Sequence, residues 1–551
     1  MITVFINHHN SHTVKMPILH KCRPLHLINR QACAKLFSCC TRRTSATTTA
    51  NNGTKPTHSV KPFSEMPEAL SGPRFISMFY FIYLYITKKS PVLTSYYTMM
   101  KQKHGDIWKQ NINIGKGDNN YIVMVGHPDY AKTVFQAPET EHRRFKLQLI
   151  DVFTKKNNFP KSMALLDGKE WEERRKPTQE KMLRPAVVAN YVPLIEKVTN
   201  DFIEKLERKE KTEDLFTDLL NYATESVGML CFNKRLGCLE NDNNPVAVHV
   251  RKIFEMLGTS VMTPRKSHMS PDSRFFKEYE KHTFEFVKIA KEILDSQKIF
   301  LSKMKDEEKL EKYLEEEPNF MYSLLSDPRV TEESATSMVT SLFGAGIETS
   351  ANTLTFVLTD LSLYPDKQKK LYEEIQRIVG ESTNLTKEHL ARMSYLKACV
   401  KESLRRTFPL SSGTGRYLET DLEVGGYQIP KDTLVVVNSA LMCIDERFFP
   451  RPTEYLPERW LRDTEGELTI SRNFPFAYNP FGYGPRSCLG QRFAENEIFI
   501  AVTKIIQNFQ ISLPAGVTEV KSHYTLFRTP SEKVTLYFKK RGINTTTVET
   551  S

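Results

Sequence analysis

NPFGYGPRSCLG, residues 479–490, packs three glycines and two prolines into twelve positions and ends just ahead of an amphipathic run. Ile498, Val502, Ile505 and Phe509 repeat at helical spacing, so a helix over 491–509 is predicted. The glycines and prolines hold the loop in an unusual path, and Cys488 falls at the positive end of that helix. Backbone N–H groups there favour thiolate over thiol. A cysteine so placed serves as nucleophile, redox sensor or metal ligand, or is simply a buried structural thiol. The loop by itself leaves these readings open.

Upstream lies the second informative segment, 331–364. Thr331 suits the cap, Glu332 and Glu333 suit the positive end, and Pro365 stops the helix. Near its middle, GAGIETS (344–350) puts two glycines beside a carboxylate and a threonine. Each glycine costs about 1 kcal/mol relative to alanine in a helix interior. Either a ligand or water interrupts the helical ladder there, or the small residues let a neighbouring helix approach closely. Further helices are read over 190–208, 276–304, 366–379, 387–407 and 491–509. Strands are read at 122–126 and 433–438, with a turn and extended segment at 425–430. The charged run 303–317 reads as a solvated face.

The 551 residues carry a formal net charge of +12, and the charge is unevenly placed. Residues 1–64 contain nine Lys or Arg and no acid, which leaves the other 487 residues at only +3. The basicity is a property of the N-terminus, so a nucleic-acid-binding reading loses its support. An acid-free, Ser/Thr-rich basic segment fits an organelle transit peptide at 1–64, followed by one continuous body at 65–551 without linkers or repeats. His8, His9, His12 and Lys15 break up any secretory core. Nine cysteines, four of them in the tail, form neither a disulfide framework nor a finger spacing. The most lipid-like run, FISMFYFIYLYI at 75–86, falls short of the roughly 20 residues that a spanning helix needs.

Phe481, Gly484, Arg486, Cys488 and Gly490 match F-x-x-G-x-R-x-C-x-G, and with them the chain resembles the cytochrome P-450 haem-thiolate monooxygenases. Four further motifs follow the family order. Ala345-Gly346-Ile347-Glu348-Thr349 resembles the oxygen-activation motif, Glu402 and Arg405 the E-x-x-R pair, and Pro457-Glu458-Arg459-Trp460 its partner segment. Trp171 and Arg175 fit W-x-x-x-R. The resemblance covers roughly 65–540. It implies a mainly α fold: a large helical domain with small β-sheets, and haem between the long central helix and the Cys-loop helix.

The cofactor implied is heme b with Cys488 as the thiolate ligand, an arrangement that favours O–O cleavage. O2 and NADPH-derived electrons are the co-substrates. Phe481 belongs to the cofactor loop, and Arg175, Arg416 and Arg486 would pair with the haem propionates, with Trp171 donating its indole N–H. Thr349 would hold a water or hydroperoxide and Glu348 would relay protons. Glu402, Arg405 and Arg459 are expected to form a buried structural brace. Ala345, Ser411, Ser412 and Leu526 are the substrate-pocket candidates.

Within the family the chain looks like the animal mitochondrial class, through His104-Gly105-Asp106-Ile107, the stretch 395–401, and Arg492. That class implies an acidic [2Fe-2S] ferredoxin with its NADPH-dependent reductase, docking on Lys397, Lys401 and Arg492, the lysines pointing away from the brace. Gln491 stands where the class usually has arginine. The implied location is the matrix side of the mitochondrial inner membrane, held peripherally. The function expected is insertion of one oxygen atom from O2 into a sterol, secosteroid, related lipid or xenobiotic. Three alternatives are a haem-thiolate isomerase or dehydratase acting on peroxides, a monooxygenase fed by a microsomal-type reductase, and a non-catalytic haem-based sensor.

Overall fold

The computed structural model describes residues 60–69, 92–111, 121–241, 244–262, 266–380, 382, 384–410 and 413–542. They fall in one unit, Ser59–Ser551. Most of the 1–64 segment, the aromatic run 75–86, and Ser411 and Ser412 lie outside the described residues.

Seventeen α-helices and twelve short strands make up the described chain. The helices that frame the site are α1 (Gln148–Lys156), α2 (Gly168–Met182), α3 (Leu215–Phe232), α4 (Pro245–Met262), α5 (Arg274–Asp306), α6 (Glu332–Leu363), α7 (Pro365–Ile378), α8 (Ser394–Arg406) and α9 (Gln491–Asn508). At 1.5 Å per residue the 32 residues of α6 span about 48 Å. The Thr331 hydroxyl accepts from the Ser334 amide at its start. Pro365 occupies the first position of α7, where its missing N–H costs nothing.

α6 runs unbroken through GAGIETS. The glycines let neighbours in: a Cβ at Gly344 would lie 3.2 Å from the Phe286 ring, and one at Gly346 3.0 Å from Val227. Close packing, with no interruption of the ladder, therefore accounts for both. α3, buried on nearly every residue, lies against α6 and joins it through the Phe232–Phe343 ring pair at 4.9 Å. Phe286 of α5 stacks on Phe343 at 5.7 Å.

The predicted helix over 387–407 is two helices, Lys387–Arg392 and α8, parted at Met393. A carboxylate from another helix makes the break stable. Glu374 of α7 accepts from the Tyr395 amide at 2.8 Å and the Leu396 amide at 2.9 Å, satisfying donors that a new helix start leaves open.

Five strands form the main sheet, in the order Glu68–Ala69, Ile107–Asn111, Tyr121–Val125, Leu434–Val437, Thr414–Tyr417. Side chains alternate across it. Val123, Val125, Val435 and Val437 enter one apolar cluster, while Met124, Leu434 and Val436 enter another with Trp108. The N-terminal strap is bound to this body: the Lys61 amide donates to the Gly426 carbonyl, and the Gln428 amide to the Lys61 carbonyl, each at 2.9 Å. No helix among the described residues is long and apolar enough to cross a membrane.

Candidate active site

The loop at 479–490 takes its path from two left-handed glycines, Gly482 (φ 73°) and Gly484 (φ 75°), where side chains are strained. The Ser487 amide donates to the Gly484 carbonyl at 2.9 Å, and the Cys488 amide to the Phe481 carbonyl at 2.8 Å. These bonds present Cys488 just before α9. Of the five described cysteines Cys488 alone is exposed; Cys231, Cys238, Cys399 and Cys443 are buried. Protein nonetheless crowds its thiol. Burial pushes the pKa up, while the Gly490 and Gln491 amides and the Arg175 guanidinium pull it back toward thiolate.

Four guanidiniums gather beside this loop. Arg486 donates to the Leu166 carbonyl at 2.6 Å, to the His142 carbonyl at 2.8 Å and to Asp167 at 3.1 Å, with its plane 4.1 Å from the Trp171 ring centre. Arg416 donates to the Tyr483 carbonyl at 2.9 Å and lies 3.7 Å from Glu139. Arg175 donates through Nε to Gln179 at 3.1 Å, but its buried Nη2 has no partner. Arg144, which no sequence motif singles out, completes the group; it feels Asp167 and Cys488. Burial first, then repulsion from neighbouring guanidiniums, lowers Arg175 and Arg416 to about 10 and Arg486 to about 9. All remain cationic at neutral pH. An orphaned buried donor and a cluster rich in guanidinium beside an accessible thiol fit a group that carries a soft metal and two carboxylates. Haem meets that description.

On α6 the Thr349 hydroxyl donates back to the Ala345 carbonyl at 2.9 Å. Its proton is committed, so the oxygen is left to accept from something in front of the helix. Ala345 is exposed. Glu348 is buried; loss of solvent pushes its carboxyl up to about 8, against the pull of Arg251 and with the push of Glu255. It therefore holds a proton at neutral pH. Its Oε2 and the Asn352 amide, one turn on, lie close enough for Asn352 to ease the carboxyl's upward shift, yet neither makes a well-formed hydrogen bond. Buried polar groups of this kind call for ordered water.

Behind the loop, Glu402 is wholly buried and bound on every side. Arg405 grips it through Nε at 2.9 Å and Nη2 at 2.8 Å. Arg459 Nε lies 3.0 Å and 3.1 Å from its two oxygens, the Trp460 indole N–H donates at 2.9 Å, and the Leu456 amide at 3.0 Å. Spare guanidinium donors reach the carbonyls of Cys443, Glu454 and Pro450. The motif spacing points to the arginines; Trp460 as a fifth member becomes visible only in three dimensions.

One of the two lysines on α8 is placed differently from expectation. Lys401 does not point clear of the brace: its ammonium lies 5.7 Å from the ring centre of Trp460. Half-buried Lys397 donates to the Ala391 carbonyl at 2.7 Å. Arg492 sits 3.5 Å from Glu495, and Gln491 donates to the same carboxylate at 3.0 Å. Leu526 is half-buried against α1, α4 and α5, far from these residues in sequence and in role.

A thiol loop, a guanidinium cluster and an acid–alcohol pair on a long central helix define a haem-thiolate protein. The cytochrome P450 family model matches residues 70–538, and the chain belongs to that family. It is a haem monooxygenase that uses O2 and NADPH-derived electrons. Among its relatives, "Cytochrome P450 10" of Lymnaea stagnalis is 27% identical over 88% of this chain and 86% of its own length. The mitochondrial 1,25-dihydroxyvitamin D(3) 24-hydroxylase of Rattus norvegicus is 26% identical over 83% of this chain and 85% of its own. The mitochondrial sterol 26-hydroxylase of Rattus norvegicus is 28% identical over 80% and 83%.

Proposed function

We propose that the enzyme hydroxylates a lipophilic substrate of sterol or secosteroid type on the matrix side of the mitochondrial inner membrane, with electrons from a [2Fe-2S] ferredoxin. The observation that carries this reading is the acid–alcohol pair on unbroken α6, one residue protonated and the other left as an acceptor. The relatives' sterol and secosteroid hydroxylase names and mitochondrial location support the substrate class and compartment. The basic acid-free segment at 1–64 supports import, with 65–551 as the catalytic body.

In this reading Cys488 would supply the thiolate that holds the haem iron, its sulfur accepting from the Gly490 and Gln491 amides. Arg175, Arg486, Arg416 and Arg144 would hold the propionates, the free Nη2 of Arg175 being the first donor available. Trp171 supports Arg486 through its ring face. When bound, the haem supplies O2 activation and delivery of one oxygen atom to a C–H bond. The chain's own part is protonic. Glu348 holds a proton, water bridging its Oε2 and Asn352 carries it forward, and Thr349 Oγ1 accepts a hydrogen bond that positions it. Glu402, Arg405 and Arg459 keep the side of the site that carries Cys488, its proximal side, rigid. Ala345 and Leu526 line the substrate side.

Thr349→Ala tests the relay. Haem content and substrate-induced spectral change should stay at parental levels, while product formed per NADPH falls roughly tenfold or more, the scale set by a positioned proton transfer. The missing reducing equivalents should appear as hydrogen peroxide and water. Coupling that stays at the parental value sinks the role given to Thr349.

The donor is tested by adding and reversing charge on the proximal face. Gln491→Arg should lower the ferredoxin KM several-fold, because one more cation strengthens steering and contact without touching the brace. Lys401→Glu should raise that KM about tenfold or more. Haem content must be measured beside it, since Lys401 also rests on Trp460. A KM indifferent to salt and to both changes removes ferredoxin docking from this face.

A further inference from the structure

PETEHRRF, residues 138–145, leads from the helix Pro128–Phe135 toward α1 and has no regular structure of its own. Its middle is held by a side chain distant in sequence. Glu419 Oε1 accepts from the Glu141 and His142 amides, each at 2.8 Å, and Oε2 from the Thr140 amide at 2.6 Å and hydroxyl at 2.8 Å. Consecutive amides that converge on one anion form a concave nest, which sets one residue left-handed. His142 is that residue, at φ 48°. A side chain strains such a backbone, and the conformation persists only where its surroundings fix it. Burial pushes the Glu419 carboxyl up, but the loop's amides and hydroxyl outweigh it, so the carboxyl sits below its usual value and is an anion at neutral pH.

Both ends of this arrangement reach the guanidiniums beside Cys488. The His142 carbonyl accepts from Arg486 Nε at 2.8 Å. Glu139, just ahead of the nest, lies 3.7 Å from Arg416 Nε and 3.0 Å from His142 Nδ1. Arg416 belongs to the strand Thr414–Tyr417, whose end leads directly to Glu419. The same strand end is bonded to the loop, the Tyr417 amide donating to the Arg143 carbonyl and Arg143 donating to the Leu418 carbonyl, each at 3.2 Å. On the opposite flank the Gly168 amide donates to the Glu141 carbonyl at 2.7 Å, and the His142 ring meets Trp171 edge-on at 5.2 Å. The loop is thus clamped between segment 416–419 and the start of α2. Arg486 takes one of its bonds from the loop and the others from Leu166 and Asp167, beside that helix start.

We infer that Glu419 is a positioning residue for the haem propionates: by folding the amides of 140–142 around its carboxylate, it aims the His142 carbonyl at Arg486 and keeps that guanidinium beside Arg416. The inference rests on the assignment of Arg486 and Arg416 to the propionates given above. The carboxylate is spent on the loop's four donors, so Glu419 acts through the loop. Glu419→Gln keeps the size of the side chain but turns N–H toward N–H, and the strained His142 is then free to relax. Relaxation takes its carbonyl off Arg486 Nε. A guanidinium released from that bond compensates the propionate charge less well, which favours the ferric state and lowers the reduction potential.

The test uses the full chain loaded with haem and compares the parent with Glu419→Gln, Glu419→Asp, Arg486→Gln, and Glu419→Gln combined with Arg486→Gln. Three quantities are read: the rate of haem transfer to excess apomyoglobin, the ferric–ferrous potential, and tryptic cleavage after Arg143 and Arg144. Glu419→Gln should lose haem at least about tenfold faster, take a more negative potential and be cut sooner in the loop. Its CO band should remain, since the loop that presents Cys488 keeps its own bonds. Glu419→Asp keeps the charge on an arm too short for all four donors, and should fall between parent and Glu419→Gln. In the Arg486→Gln background, Glu419→Gln should add less than about twofold, because the group it positions is gone. Haem loss at the parental rate in Glu419→Gln overturns the proposal, and so does an effect that persists in full in the Arg486→Gln background. If Glu419→Gln takes up no haem, Glu419→Asp is read in its place, and a parental rate there overturns the proposal equally. Arg486→Gln with parental haem loss and potential would instead bring down the propionate assignment on which the proposal rests.

Discussion

Cys488→Ala should abolish the CO absorbance band of the reduced haem-thiolate protein and lower turnover by more than about 100-fold. Changes in the outer shell of a metal site alone cost about 10- to 100-fold, and this change removes the ligand itself. No other described cysteine can substitute. Cys231, Cys238, Cys399 and Cys443 are all buried, and burial raises each of their thiol pKa values, Cys443 to about 12. Only Cys488 combines access with two backbone amides and a guanidinium that stabilise thiolate. Its removal leaves the loop's own bonds in place, because the residue's amide makes the contact to Phe481. The expected product is therefore a folded protein without the band. A band that persists would reassign the ligand and with it the whole site.

Which parts of this site were open to reading depends on how local their cause is. The cysteine loop, α6 with its cap, and the pair Glu402–Arg405 depend on residues close in sequence, so spacing and turn chemistry reveal them. The resemblance then supplies Trp171, Arg175 and Arg459 at a distance. Arg144 escapes because the stretch around it has no periodicity and no motif; only its approach to Asp167 and Cys488 gives it meaning. The break at Met393 escapes for a similar reason, since helical patterning continues across it and the carboxylate that stabilises it belongs to α7. Lys401 looks free on a helical wheel, yet Trp460 reaches it from another segment. The two glycines of α6 were open to two explanations, and the choice required knowing where Phe286 and Val227 lie.

The second large effect belongs to a residue that need touch neither haem nor substrate. Glu402→Gln should leave little haem-loaded protein, with a loss of stability of about 3–5 kcal/mol, the cost of stranding buried charge. Against a total stability of about 5–15 kcal/mol this is a large share. Arg405 and Arg459 would keep their positive charges at zero exposure, facing an amide that turns N–H donors toward N–H donors. Their bonds to the Cys443, Glu454 and Pro450 carbonyls prevent escape to solvent. Arg459→Lys should be only partly tolerated, because an ammonium keeps the charge and loses the fork that reaches two oxygens and a carbonyl together. Replacing all three charged residues with apolar ones of similar volume should cost less stability than Glu402→Gln alone, since no charge is then left unpaired. Acid should act in the same direction as Glu402→Gln. The arginines hold the Glu402 carboxyl below its usual value against the opposing push of burial. Its stabilising contribution is thus present above the ordinary carboxylate range and is lost as pH falls through the lowered pKa. Thermal unfolding of the apo-protein and haem retention, followed together in these variants and at falling pH, check the set. If Glu402→Gln proves as stable as the parent and fully loaded, the cluster is not a brace, and the rigidity of the proximal side must come from the Gly482–Gly484 loop alone.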